Sequence, residues 1–373
     1  MPQTKPLKVA IVCDWLTGIG GAERVVLELH KLYPNAPIYT SQYDPRKIDW
    51  FDNADVRTGP LQKLPKRLKK FLPFLRAWTF NRLDLSDYDL VLSSSGAEAK
   101  GVKTGKNTIH ICYCHSPTHY YWIRYDEYIK HPGFPFGLNW LARLGLLLLI
   151  KPLKEWDFRA AKRPNFMIAN SDHTQAMIKR YYKRDSVVIH PPVDVNRFKI
   201  IGKPPLRHGF LIAGRQVPYK RFDLAIAACT ELKVPLVVIG DGPDHKRLEK
   251  IAGRSVTFLS NVADHEMASH FQSTLGFIMP NMDDFGIVAV EALSAGTPVI
   301  AYQKGGALDY VIPGKTGLLF DKQTVKSLTT ALEQVFAKTF HYDAIAESAS
   351  QFSAQTFTSN IKDFIWKCMS ESK

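Results

Sequence analysis

Short apolar runs alternate with amphipathic stretches along almost the whole chain. "LKVAIVC" (7–13), "YDLVLSSS" (88–95), "HICYCHS" (110–116), "FMIANS" (166–171) and "SVVIHPP" (186–192) are short and largely apolar, and they end in polar or turn residues. That is the pattern of buried strands. Helical spacing falls between several of them, at 22–32 and 174–182. Strands alternating with helices predict parallel sheets covered on both faces. The rhythm restarts after "PPVDVNRF" (191–198), where Pro191 and Pro192 stiffen the chain and interrupt any helix. "HGFLIAG" (208–214), "VPLVVIGDGP" (234–243), "VTFLSNV" (256–262), "LGFIMP" (275–280) and "TPVIAY" (297–302) follow, again with helical patterns between them. The expected fold class is α/β, in two domains at 1–195 and 196–352, with one more helix in the tail 353–373. The length of 373 residues agrees, because single cores usually stop growing well below it.

Two segments depart from the pattern. "LNWLARLGLLLLI" (138–150) is strongly apolar but only 13 residues long, against the ~20 a transmembrane helix needs. It reads as a buried helix, or as a segment lying in a membrane interface. "LQKLPKRLKKFLPFLRAW" (61–78) places Leu64, Leu68, Phe71, Leu72 and Leu75 on one helical face, with Lys63, Lys66, Arg67, Lys69 and Lys70 around it. A basic amphipathic helix suits an anionic membrane, and it equally suits a structural helix with a solvated face. The net charge of +14 concentrates here: Arg57 to Arg82 holds eight basic residues and no acid. Such a field attracts polyanions, yet no nucleic-acid-binding motif accompanies it and few aromatics interleave. The five Cys are sparse, and Cys112 and Cys114 form C-x-C within an apolar run rather than a zinc pair. Reduced, buried thiols in a cytosolic protein are expected. The first residues lack the plan of a signal peptide.

The candidate chemistry lies where strands end. In "DWLTGIGGAERVV" (14–26), Gly18, Gly20 and Gly21 connect a strand to a helix. Glycines allow close approach of a ligand and a helix N-terminus favours anions, although a plain turn has the same look. In "GRQVPYKRFDLAI" (214–226), Gly214 ends a strand, and Arg215 and Lys220 precede a helix. Arg as a fork and Lys as a point charge can converge on one diphosphate, or simply form a solvated loop. "VIGDGP" (238–243) is a further strand and glycine turn. In open α/β sheets ligands sit at the carboxyl ends of strands, which puts Arg215, Gly240, Asn261 and Pro280 along one edge. "DDFGIVAVEAL" (283–293) adds Asp283 before a helix that starts at Gly286, and Glu291 about one and a half turns in. The helix amides can hold a phosphate, while carboxylates accept sugar hydroxyls. An acidic helix start also stabilises helices generally. His115 in "YCHSPTHYYW" (113–122) follows a strand of the first domain, as a cleft residue or a hydrogen-bonded core histidine.

Taken in order, these stretches resemble the retaining, nucleotide-sugar-dependent glycosyltransferases of family 4, or group 1. The likeness covers nearly the whole chain: "DWLTGIGGAERVV", "CHSPTHYYW", "ANSDHTQAMIKRYY", "HPPVDVNRF", "GRQVPYKRFDLAI", "VIGDGP" and "DDFGIVAVEALSAGTPVIA" keep the family's order and spacing. The resemblance implies a GT-B fold. Two Rossmann-like domains would face a central cleft, residues 1–195 for the acceptor and 196–352 for the nucleotide sugar, with the tail helix packing back on the first. It also implies roles. Gly20 and Gly21 approach the donor phosphates, and His115 contacts the donor sugar. Gly214 belongs to the donor site, Arg215 and Lys220 neutralise the diphosphate, and Asn261 and Val262 meet the base. Asp283 touches the transferred sugar and Glu291 the ribose. Phe285, Gly286 and Ile287 present backbone amides to sugar and phosphate. Where the family usually has Glu, this chain has Asp283, one methylene shorter.

The wording of "PIYTSQYDP" and "CHSPTHYYW" is most like mannosyltransferase-type members. The expected activity is therefore transfer of a hexose, mannose from GDP-mannose, to a glycolipid, lipid-linked or polysaccharide acceptor. The expected course is retention, with no cofactor. Asp283 and Asp284 do not form D-x-D, so no metal is expected. Lys66, Arg67, Lys69 and Lys70 would hold the protein on an anionic membrane, peripheral on the inner face of the cytoplasmic membrane. A UDP-sugar transferase, a sugar-nucleotide epimerase and a basic nucleic-acid-binding module are the rivals, in that order.

Overall fold

The computed structural model describes residues 7–65, 73–125, 139–199 and 206–371. Lys66, Arg67, Lys69 and Lys70 lie outside the described residues. The chain divides into two compact units, Met1–Pro191 with Phe357–Lys373, and Pro192–Thr356.

The first unit is built on a seven-stranded sheet of β1 (Val9–Cys13), β2 (Ile38–Thr40), β3 (Val56–Thr58), β4 (Leu90–Ser95), β5 (Ile109–Cys114), β6 (Phe166–Ala169) and β7 (Val187–Val188). The order is β3-β2-β1-β4-β5-β6-β7 and every pairing is parallel. Four of the five strands that pattern reading finds in this unit, such as β1 with all five residues buried, are central ones. The helix Gly21–Leu32 buries Val25, Val26 and Leu29 against this sheet. The last helix, Ala354–Glu371, buries Phe357, Ile361, Ile365 and Cys368 at helical spacing into the same core. β2 and β3 escape sequence reading because three residues are too few to show a period. The expected strand at 186–192 shrinks to the two residues of β7.

The second unit carries a six-stranded parallel sheet of β8 (Phe210–Ala213), β9 (Leu236–Ile239), β10 (Val256–Leu259), β11 (Gly276–Met279), β12 (Val299–Tyr302) and β13 (Gly317–Phe320), in the order β10-β9-β8-β11-β12-β13. In both sheets the strand order thus reverses beside the first strand, between β1 and β4 and between β8 and β11. That is the doubly wound plan, and the reversal opens a crevice beyond the strand ends where ligands bind. The two expected Rossmann-like parallel sheets are both present.

The two exceptional segments are described in part, residues 66–72 of the first lying outside the described residues. Pro60–Lys63 is a 3-10 turn that ends in extended backbone at Leu64, and the next described helix is Pro73–Arg82. That helix buries Arg76, Ala77 and Phe80, with Arg76 paired to Glu98, while Leu68, Phe71 and Leu72 of the expected apolar face lie outside the described residues. The stretch 138–150 belongs to a 22-residue helix, Asn139–Ala160, that continues through Pro152. Ile150 and Leu153 pack with Tyr121, whereas Leu144, Leu147 and Leu149 are exposed. The expected buried helix is therefore buried only in part. Among the described residues no helix is long and apolar enough to cross a membrane. All five Cys are buried and free.

Candidate functional site

In the second unit the loops after β8 and β9 are locked together backbone to backbone. Gly240 has φ +116°, and a Cβ there would strike the carbonyl oxygen of Gly214; one at Gly242 would strike that of Gln216. Only glycine allows so close an approach. The Gln216 side chain, fully buried, bridges the two loops by donating to Gly240 O at 2.7 Å and pairing with His245 Nδ1 at 2.7 Å. Gln216 carries no mark in the sequence because both its partners lie on other elements. This clamp fixes the path of the chain into the 3-10 turn Pro218–Lys220. Lys220 then folds back so that its ammonium lies 3.9 Å from the Cβ position of Gly214 and 3.2 Å from Asp283 Oδ2.

Asp283 comes from the loop after β11. That loop is braced from behind by the turn at Gly305 and Gly306: a Cβ on either would meet the carbonyl oxygens of Asp283 or Asp284, and the Gly306 amide donates to Asp283 O at 2.9 Å. Tyr310 donates to Phe285 O at 2.8 Å. Phe285 itself is a core residue, its ring packed on Tyr310 and Phe352. Gly286, at φ +91°, turns the chain into the helix Ile287–Ser294. The first turn of that helix offers unpaired amides and the positive end of its dipole.

A pocket of about 370 Å³, its open mouth included, lies at the β8/β11 reversal. Lys220, Asn281, Asp283, Gly286 and Ile287 line it, over an apolar floor that includes Ile212, Phe222 and Phe277. It has the makeup of ligand sites, apolar walls with a few convergent polar groups. Of the predicted donor residues, the structure brings Lys220, Asp283, Gly286 and Ile287 together here. Arg215 is exposed, Asn261 is exposed in a left-handed turn at φ +57°, and Val262 is half-buried; none of them lines the pocket. Glu291 is 8% exposed on the helix and also stands apart from the lining.

In the first unit the reversal between β1 and β4 is sealed by Asp14. Its carboxylate accepts the amides of Gly96 (2.7 Å), Ala97 (2.9 Å) and Ala99 (2.7 Å). Burial, aided by the charge of Glu98, pushes Asp14 up to about 6. Glu23 lies in the first turn of the helix Gly21–Leu32, and a Cβ at Gly20 would come within 2.9 Å of its Oε2. Burial, with Asp14 adding, raises Glu23 to about 7. His115 follows β5; its Nε2 is 2.7 Å from Ser94 Oγ, and its carbonyl accepts from Asn170 Nδ2 at 2.9 Å. Ser94 therefore fixes the ring orientation. Behind it, the fully buried Asp157 takes Lys100 (2.6 Å), Thr118 (2.8 Å), Trp122 (2.7 Å) and Tyr182 (2.8 Å). This network pins the loop that leads away from His115. Asp14, Ser94 and Asp157 do not stand out in the sequence, since their partners are far along the chain. Among the described residues no cluster of His, Cys, Asp or Glu could hold a metal.

Comparison with known proteins decides the family. The profile described as "Glycosyltransferase Family 4" matches residues 19–197, and that of "Glycosyl transferases group 1" matches residues 196–352. The chain belongs to the group 1, family 4 glycosyltransferases. A similar member is the GDP-mannose-dependent alpha-(1-6)-phosphatidylinositol monomannoside mannosyltransferase of Mycolicibacterium smegmatis, 33% identical over 141 residues, 33% of this chain and 37% of that one. Another is the D-inositol 3-phosphate glycosyltransferase of Streptomyces scabiei, 32% identical over 194 residues and 43% of each chain. The matches thus span less than half of these two relatives. Among solved structures, Anabaena Alr3699/HepE in complex with UDP superposes with a TM-score of 0.71 at 18% identity, over 97% of this chain and 100% of that one. Sucrose-phosphate synthase of Thermosynechococcus elongatus gives 0.70 at 17%, over 98% and 100%. These likenesses show the fold, which is GT-B, as expected from the sequence.

Proposed function

We propose that the protein transfers a hexose from a nucleoside diphosphate sugar to a glycolipid or glycan acceptor, with retention at the anomeric carbon. The observation that carries this reading is the convergence of Lys220, Asp283 and the helix start at Gly286 on one pocket at the β8/β11 reversal. Negative charge develops on the departing diphosphate, and the ammonium and the first helix amides are placed to take it. Fixed donors of that kind often contribute more to catalysis than any other single effect. Arg215, exposed beside the same loop, supplies a second cation once a diphosphate is bound. Asp283 accepts from the sugar and stabilises its positive ring. In the chemistry assigned here the C1–O bond to the diphosphate breaks and the acceptor oxygen bonds to C1 on the same face. The acceptor's proton passes to the departing phosphate. These cations neutralise the leaving group without a metal. By the family resemblance we assign Gly20, Gly21, Gly214 and His115 to the donor phosphates and sugar, Asn261 and Val262 to the base, and Glu291 to the ribose.

Mannose from GDP-mannose is the donor we favour, from the wording of the N-terminal motifs and the relative that uses it. A UDP-sugar is the second reading, favoured by the likeness to a fold solved with UDP-glucose. The acceptor is proposed to lie at a membrane. Exposed Phe74 and Trp78 follow the basic run, and Leu144, Leu147 and Leu149 present a second apolar face. A thermal-shift screen against GDP, UDP and their sugars tests the donor, because a ligand that binds only the native state raises the melting point. One nucleotide series should stabilise the protein; equal indifference to both would reject the reading.

A further inference from the structure

Asn281 is 3% exposed, and its Nδ2 has no hydrogen-bond partner among the described residues. Buried amide donors are nearly always satisfied, since an unmet one keeps the full cost of leaving water. Asn281 nevertheless stands in the lining of the pocket that holds Lys220, Asp283 and Gly286. Most of that lining is apolar, so it offers the Asn281 amide few alternatives.

The chemistry of the polar groups sorts what each can bind. The Lys220 ammonium and the helix amides donate to phosphate oxygens. The Asp283 carboxylate only accepts, so its ligand partner carries a hydrogen. The Asn281 NH2 only donates, so its ligand partner carries a lone pair. A hydroxyl is both at once. Asn281 and Asp283, two residues apart on the loop after β11, form a donor and an acceptor suited to one hydroxyl or to two adjacent ones. We infer that Asn281 is a specificity-determining contact of the transferred hexose, its unpaired buried amide holding with Asp283 the hydroxyls by which epimeric donors differ. This rests on the proposed function and deepens it. A site built to hydrogen-bond a hydroxyl discriminates strongly, because the wrong ligand leaves a buried group unpaired.

The test uses the full chain and the variants Asn281→Ala and Asn281→Asp, titrated with GDP, UDP and two epimer pairs, GDP-mannose with GDP-glucose and UDP-glucose with UDP-galactose. Asn281→Ala should bind the nucleoside diphosphate as the wild type does. Affinity for the preferred nucleotide sugar should fall about 10-fold, the effect of one hydrogen bond, and the epimer preference should shrink with it. Ligand-free Asn281→Ala should melt at or above the wild-type temperature, because no hydrogen bond is lost. A variant that keeps the wild-type epimer preference would overturn the inference alone. So would a ligand-free Asn281→Ala that melts several degrees lower than the wild type, which would show the side chain to be structural. A wild type that binds no nucleoside diphosphate would sink the proposed function and this inference together.

Discussion

At the residue scale, the Lys220–Asp283 contact is the centre of the site. Both side chains keep about a fifth of their surface exposed, at 22% and 20%. The pair is half-buried with water still in reach, so its net contribution to stability is modest and a diphosphate can compete for the ammonium. Lys220→Ala should therefore leave thermal stability nearly unchanged and lower turnover by a factor of ~10²–10³, as loss of one donor at a developing anion does. Wild-type turnover in that variant would remove Lys220 from the chemistry. Glu23 makes a prediction about pH. Its folded value of about 7 is raised by burial from 4.5, so the fold favours the protonated form. That stabilisation is present below pH 4.5 and is lost as pH rises to 7. Glu23→Gln, which cannot ionise, should be more stable than wild type at pH 8 by about 1–3 kcal/mol, with the gap closing by pH 4. Denaturant titrations at the two pH values measure it; a gap independent of pH would contradict the cause given.

At the element scale, glycine contacts decide how the loops are held. A Cβ on Gly306 would come within 2.5 Å of the Phe285 Cα, whereas one on Gly18 would meet nothing within 4 Å. Gly306→Ala should cost about 1–3 kcal/mol by overpacking and weaken donor binding with it, while Gly18→Ala should leave stability unchanged. Equal melting points for the two would refute the bracing of the Asp283 loop. The same contrast shows what a sequence reveals. β1, β5, β8 and β11 were legible because a covered strand reads as an unbroken apolar run. β3 is "VRT", and nothing in three residues announces a strand. β13, "GLLF", is only one residue longer. "DDFG" was legible as a helix start, but the turn Gly305–Gly306 that supports it was not, since the contact joins residues some twenty positions apart. The unmet donor on Asn281 has no signature in sequence at all, because it depends on what every neighbouring element fails to supply.

At the scale of the whole molecule, the +14 charge is less uniform than its count suggests. Within the basic stretch, Arg57 is tied to Asp55 at 2.7 Å and Arg76 is buried against Glu98 at 2.9 Å. Arg76 is too deeply buried to serve a membrane, and Arg57 shares its charge with Asp55. The proposed attachment then rests on Lys63 and Arg82 and on Lys66, Arg67, Lys69 and Lys70. At ~1 kcal/mol per basic residue near an anionic surface, changing the last four to Gln should weaken binding to anionic vesicles by roughly 10²–10³-fold. Donor binding should not change. Flotation that is the same for the variant, or the same on zwitterionic vesicles, would reject the attachment. The two-unit plan was the most legible feature of the chain, because the strand–helix rhythm stops and restarts around Pro191 and Pro192. The most direct test is a crystal structure with a nucleoside diphosphate bound. The diphosphate oxygens should lie within hydrogen-bonding distance of Lys220 Nζ and of the amides that open the helix at Gly286 and Ile287. A nucleotide bound elsewhere, with Lys220 still turned to Asp283, would contradict the assignment.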